Sequence, residues 1–132
     1  LNRFLSVHSN KYRVFVGTDN ICKTKIRDLE VFKNLHGDKV AVDYSSTWGL
    51  CSLLKYMDAA ITVKLHVGIV TALYGKSVIS FPKHVNKTKR FYKQIGYSER
   101  CKLLKKVEQE DVYGMMSQFM DEKISIDLEL IE

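Results

Sequence analysis

The stretch Tyr56–Gly96, YMDAAITVKLHVGIVTALYGKSVISFPKHVNKTKRFYKQIG, decides the fold predicted for this chain. Its first apolar run, residues 59–63, stops abruptly at the Lys-Leu-His tripeptide of residues 64–66, and a helical pattern starts at once. A second apolar run, residues 77–81, follows this pattern and leads into a lysine-rich segment. These changes predict a strand, a turn that carries polar side chains, a helix and a second strand. In open α/β sheets such a turn lies at the carboxyl end of the strand, where ligands bind.

Strand and helix patterns alternate along the rest of the chain as well. Residues 12–17 and 39–44 are rich in β-forming residues, which predicts two more strands. Apolar residues at helical spacing predict helices over residues 1–5, 24–35, 50–57, 66–74, 86–95 and 112–119. The alternation predicts a fold of the α/β class, a Rossmann-like parallel sheet of about four strands with helices on both faces.

Three features refine this picture. Residues 124–130 alternate strictly between apolar and polar, which predicts a half-buried strand or an extension of a sheet edge. Small residues at helical spacing from Gly68 to Gly75 allow another backbone to approach closely, and tight packing of a helix on a sheet is their ordinary explanation. Trp48 is expected to pack in the core or at its rim.

Length and composition set the class of protein. A length of 132 residues predicts one domain, and the absence of an 18-residue apolar run predicts no membrane span. The three cysteines are widely spaced and form no CxxC pair, so we expect no metal site, free thiols and a cytoplasmic protein. The chain starts at Leu1 with no signal-peptide pattern. Because it lacks an initiator Met, it is either processed or a piece of a longer protein, and we expect a piece.

Charge is distributed unevenly around the net value of +6. Residues 76–106 carry +9, whereas residues 107–132 carry −7. The basic block predicts an anionic ligand or surface, and a solvated helix face near an acidic helix is the alternative. Its aromatic residues form no recognisable RNA-binding motif, so we expect no nucleic-acid partner.

The candidate site centres on Lys64 and His66, which stand at the predicted start of a helix. Helix N-termini attract anions, Lys64 adds a point charge, and His66 can donate a hydrogen bond or move a proton. Lys83 and Lys87, one turn apart in the basic block, are further candidates for the same anion. The alternatives are a structural histidine and lysines that are simply solvated. Asp43 and Asp58 are weaker candidates, and no glycine-rich phosphate loop is present.

About forty residues resemble the polysaccharide pyruvyl transferase family. That family shows the pattern D-x-x-(apolar)-(Ser/Thr)-x-Arg-Leu-His followed by a helix and Gly-x-Pro, and later Lys-x-x-x-Phe-x-x-x-(Leu/Ile)-Gly. The corresponding residues here are Asp58, Thr62, Lys64, Leu65, His66, Gly75, Lys87, Phe91, Ile95 and Gly96. Two positions depart from the pattern, because Lys64 replaces the usual Arg and Ser77 replaces the usual Pro. Lysine keeps the charge but loses the two-pronged geometry with which arginine holds a carboxylate or phosphate.

The resemblance implies a two-domain, GT-B-like enzyme of which this chain is the C-terminal half. It implies transfer of a pyruvyl group from phosphoenolpyruvate to a sugar of a surface polysaccharide, with no cofactor. By this resemblance Lys64 and His66 would contact the phosphate or carboxylate of the donor, His66 would also be the candidate catalytic acid, and Lys87 would support the same anion. The missing N-terminal half would hold most of the saccharide acceptor. Two other functions stay open, namely a GT-B-type glycosyltransferase domain that uses a nucleotide-sugar donor and a non-enzymatic domain that binds anions.

Overall fold

The computed structural model of the chain describes residues 1–8, 11–17, 23–42, 46–84 and 86–126. The chain divides into two compact units, Leu1–Leu50 and Cys51–Glu132. Its helices are α1 (Asn2–Val7), α2 (Lys23–Asp28), α3 (Glu30–Lys33), α4 (Thr47–Tyr56), α5 (Leu65–Leu73), α6 (Asn86–Gln94) and α7 (Gln109–Phe119). Its strands are β1 (Arg13–Val16), β2 (Asp38–Ala41), β3 (Ala59–Thr62) and β4 (Ser77–Ser80), and single 3₁₀ turns lie at Ser98–Arg100 and Leu104–Lys106.

In the first unit, β1 and β2 pair in parallel, with Arg13 opposite Asp38 and Val16 opposite Ala41. The small core of this unit contains Leu5, Ile26, Phe32, Leu35 and Ala41. The helix predicted over residues 24–35 is two short helices, because Leu29 adopts an extended backbone between them. This break leaves Leu29 exposed, while Ile26 before it and Phe32 after it reach the core.

In the second unit, β3 and β4 pair in parallel, with Ala59 opposite Ser77 and Thr62 opposite Ser80. The α5 and α6 helices cover one face of β4 through a cluster of Ala72, Val78, Tyr92, Ile95 and Ile124. The α7 helix covers the other face, where the Ser77 hydroxyl donates to the Phe119 carbonyl at 2.6 Å. The predicted α/β class and the parallel pairing of strands are therefore confirmed.

The prediction of one sheet of about four strands is wrong, because the described strands form two separate parallel sheets of two strands each. Each sheet joins two strands that follow each other along the chain. The hydrophobic pattern of a segment shows that it is a buried strand, but this pattern does not specify which strand it pairs with. Beside β4, Cys101 adds a single parallel bridge to Ser80, which is too short to count as a third strand.

Three smaller predictions had different outcomes. Trp48 is 83% exposed, so its predicted packing is wrong. Residues 124–126 are not part of a strand, although Ile124 is buried and its N–H donates to the Lys76 carbonyl. Residues 127–130 and Asp43 lie outside the described residues. Among the helices that the structure describes, none is long and apolar enough to cross a bilayer.

Arg100 is buried and contacts several elements of the second unit, and the sequence did not indicate its burial. Only 1% of this residue is exposed. Its guanidinium donates to the Ser77 hydroxyl at 3.0 Å and to the Glu122 carbonyl at 2.7 Å, and it lies over the Phe119 ring at 4.6 Å. Arg100 therefore ties the start of β4 to the end of α7.

Candidate functional site

The carboxyl ends of β3 and β4 lie side by side at one edge of the second unit's sheet. Thr62 and Ser80 are opposite each other, and the Phe81 N–H donates to the Thr62 carbonyl at 2.8 Å. The chain that leaves β3 therefore runs next to the chain that leaves β4. This edge is the position at which parallel α/β sheets bind ligands.

The turn after β3 is fixed by local hydrogen bonds. The Lys64 N–H donates to the Thr62 hydroxyl oxygen at 2.9 Å, and Lys64 has an extended backbone immediately before α5. The Lys64 carbonyl then accepts the Gly68 N–H at 3.3 Å, which begins the helix. Within the described ranges no side chain caps α5, so its first N–H groups remain available to a ligand.

The segment after β4 is held by backbone hydrogen bonds to a later part of the chain. The Ser80 carbonyl accepts the Lys102 N–H at 3.1 Å, and the Pro82 carbonyl accepts the Leu104 N–H at 2.9 Å. These bonds place the 3₁₀ turn Leu104–Lys106 beside the end of β4. Phe81 and Pro82 are buried, whereas Lys83, which follows them, is exposed.

A surface pocket of about 340 Å³ lies between the two strand ends. It is lined by Val63, Lys64, Leu65, Pro82, Lys83, His84 and Thr88. Three of these residues are basic by type, and the pocket is at the small end of the range of about 300–1,000 Å³ for ligand sites. The arrangement suits a small anion that also presents some apolar surface.

The predicted site residues divide into two groups. Lys64 and Lys83 line the pocket. His66 is exposed in the first turn of α5 and Lys87 is exposed in the first turn of α6, but neither belongs to the described lining. His66 therefore lies next to a lining residue, Leu65, on the solvent side of the fold rather than in its interior.

Two polar residues of the pocket were not among the predicted site residues. His84 lies two residues after Pro82 in the β4–α6 connection, and Thr88 lies in the first turn of α6 with only 6% exposure. The tripeptide Pro82-Lys83-His84 at the end of the second apolar run was a usable signal. It places a lysine and a histidine after β4, as residues 64–66 do after β3.

The described residues around the pocket are predominantly basic, and one of them, Lys102, takes part in an ion pair. The Lys102 ammonium lies 2.8 Å from the Asp111 carboxylate, which belongs to α7. Lys105 and Lys106 are exposed in the neighbouring 3₁₀ turn. The cationic surface thus extends beyond the pocket on the side of residues 104–106.

Two buried hydroxyls lie between β4 and α6. Burial raises the pKa of Tyr92 to about 12, and the nearby Ser80 hydroxyl offsets part of this effect. Neither hydroxyl has a hydrogen-bond partner of good geometry among the described residues. Tyr92 therefore stays protonated at physiological pH and is unsuited to acid–base chemistry.

Comparison with known proteins adds no relative to this picture. Neither a protein-family model, nor a curated protein, nor a solved structure matches the chain. In the part of the chain that the structure describes, no group of three or more His, Cys, Asp or Glu residues is arranged to hold a metal ion. The site is thus defined by its own geometry as a small basic pocket at the carboxyl edge of a parallel β-α-β unit.

Proposed function

We propose that this chain supplies the donor-binding part of a pyruvyl transferase-like enzyme, which moves a pyruvyl group from phosphoenolpyruvate to a sugar of a surface polysaccharide. The observation that supports this proposal is the pocket between Lys64 and Lys83 at the carboxyl ends of β3 and β4. The family resemblance of residues 58–96 supplies the reaction.

The pocket's charge suits this donor. Phosphoenolpyruvate carries a phosphate and a carboxylate on a three-carbon unit, so it needs cations on more than one side. Lys64 and Lys83 come from different strand ends, and the start of α5 adds N–H groups to the Lys64 side. Val63, Leu65 and Pro82 supply apolar wall for the methylene group.

Exposed His66 fits the role of the acid in this chemistry. When a ketal forms from two sugar hydroxyls, one hydroxyl proton ends on the methylene carbon of the donor and the other on the departing phosphate. An acid beside the donor therefore has a proton to deliver, and histidine is the usual residue for this work. Lys87, exposed at the start of α6, would support the charge of the departing phosphate.

We further propose that the acceptor is bound largely by a second half of the enzyme that this chain does not contain. The pocket is open to solvent and His66 is exposed, which leaves room for an acceptor held from elsewhere. We therefore expect the 132-residue chain to bind the donor without turning it over. Pyruvyl transfer by this chain alone would contradict the proposal that a second half of the enzyme binds the acceptor.

Ligand preference tests the proposal directly. Calorimetric titrations of the chain with phosphoenolpyruvate, UDP-glucose and GDP-mannose separate the three functions. We expect saturable binding of phosphoenolpyruvate and no binding of the sugar nucleotides. Preference for a sugar nucleotide would support the glycosyltransferase function, and equal, weak binding of all anions would support a non-enzymatic anion-binding domain.

A further inference from the structure

The loop after β4 contributes an imidazole and a hydroxyl to the pocket that neither the motif pattern nor the proposed reaction assigns. His84 lies in the β4–α6 connection and lines the pocket, whereas His66 does not. Both histidines are exposed, so they differ in their position relative to the pocket and not in their burial. The imidazole that lines this pocket is therefore that of His84.

Thr88 is the second unassigned group. It lies on the buried face of α6, one turn before Tyr92, and 94% of its surface is covered although it borders a solvent-open pocket. A hydroxyl in this position can donate to a ligand or accept from one. A buried polar residue on a pocket wall is a common means of fixing the orientation of a ligand.

We propose that His84 and Thr88, together with Lys83, bind the phosphoryl group of the ligand. The three residues come from one connection and the first turn of one helix, so they present an ammonium, an imidazole and a hydroxyl to one region of the pocket. A phosphoryl group offers three terminal oxygens, which matches three donors. The identity of the whole ligand rests on the proposed function, whereas the binding of a phosphoryl group by these three residues does not.

The α6 helix supports a phosphoryl group at this end of the pocket. Asn86–Gln94 contains nine residues and starts beside the pocket, so its N-terminal dipole favours an anion there. The exposed face of the same helix carries Lys87, Lys89, Arg90 and Lys93 without an acid. Such a face raises the local concentration of anions and guides them to the pocket.

Imidazole signals in the NMR spectrum test the proposal. The chain has four histidines, so single His→Ala variants assign every Cε1–H signal. We titrate the full chain separately with phosphoenolpyruvate, inorganic phosphate and pyruvate. The proposal predicts a saturable shift of the His84 signal with the first two anions and a much weaker response to pyruvate, which lacks phosphate. The His36 signal, from an exposed histidine of the first unit, should not move.

Affinities of matched variants give the second readout. His84→Ala should weaken the binding of both phosphate-containing anions about tenfold, as expected for one hydrogen bond to a charged group. Thr88→Val should weaken them several-fold, while Thr88→Ser, which keeps the hydroxyl, should restore binding. His36→Ala should leave both affinities unchanged.

The measured affinities distinguish a failure of this inference from a failure of the proposed function. If phosphoenolpyruvate binding depends on His66 and not on His84, the inference falls and the proposed function stands. If inorganic phosphate binds through His84 while phosphoenolpyruvate does not bind, the proposed function falls and the inference stands. Absence of binding of either anion at millimolar concentration overturns both.

Discussion

A methyl group on Gly68 would lie 2.5 Å from the hydroxyl oxygen of Tyr92. Gly68 is buried in α5, and Tyr92 is fully buried in α6. The missing side chain of Gly68 therefore makes room for the Tyr92 hydroxyl where the two helices approach each other. Since α5 begins at the candidate site, this contact also helps to hold the site in place.

Replacing Gly68 with Ala should destabilise the chain by about 1–3 kcal/mol, because the added methyl group overpacks the contact. In a Tyr92→Phe background the nearest ring carbon would be 3.6 Å away, an ordinary contact, so the same change should cost little. Urea unfolding of the two single variants and the double variant measures their coupling. Additive effects of the two substitutions would contradict the contact.

Gly114→Ala is the matched control for this cycle. Gly114 is an exposed glycine in α7, and a methyl group there would meet nothing within 4 Å. Alanine should therefore stabilise α7 by about 1 kcal/mol through its higher helix propensity. Its effect should be the same with and without the Tyr92→Phe substitution.

Replacing Arg100 with Ala should destabilise the second unit by about 3–5 kcal/mol. The substitution removes a buried guanidinium and leaves the Ser77 hydroxyl and the Glu122 carbonyl without this donor. Glu122→Gln should cost less than about 1 kcal/mol, because that carboxylate is 66% exposed and 3.9 Å from the guanidinium. Denaturant unfolding measures both changes, and equal costs for the two variants would contradict the role assigned to Arg100.

Asp111 should make the stability of α7 depend on pH. Hydrogen bonds from the Lys102 ammonium and from the Glu108 N–H hold the pKa of Asp111 below its ordinary range. A lowered carboxyl pKa stabilises the fold above the unfolded-state value of about 4, and this stabilisation is lost as the pH falls through the folded-state pKa. Asp111→Asn should therefore be less stable than the parent at pH 7 and equally stable at strongly acid pH.

Unfolding free energies measured between pH 2 and pH 7 test this dependence. Glu110→Gln is the matched control, since Glu110 is an exposed acid in the same first turn of α7. The difference between the parent and Glu110→Gln should vary less with pH. A constant difference between the parent and Asp111→Asn over the whole range would contradict the assigned interactions.

The order of secondary structure in the second unit was predictable from local pattern. The apolar runs at 59–63 and 77–81 became β3 and β4, and the helix between them was placed within one residue of its observed bounds. Hydrophobic periodicity specifies these segments, and residues that end a helix or strand mark their limits. Gly75 is such a residue, because its positive φ of 71° suits glycine at the end of α5. The placement of Lys64 at the start of that helix followed from the same pattern.

The pairing of strands and the burial of charge were not predictable in this way, and the local pattern indicated only part of the pocket. No periodicity specifies that β2 and β3 belong to different sheets. Arg100 is buried only because tertiary partners surround it, whereas arginine is exposed in most contexts. His84 was missed because it lies in an irregular connection, where only the folded strand ends bring it next to Lys64.

The affinity of the chain for phosphoenolpyruvate, compared between Lys64→Ala and Lys55→Ala, tests the anion pocket most directly. Lys64 lines the pocket, whereas exposed Lys55 precedes β3 at its opposite, amino-terminal end, so both variants lose the same charge from different places. We predict that Lys64→Ala raises the dissociation constant about tenfold or more and that Lys55→Ala leaves it unchanged. Equal dissociation constants for the two variants would contradict a donor site at the carboxyl ends of β3 and β4.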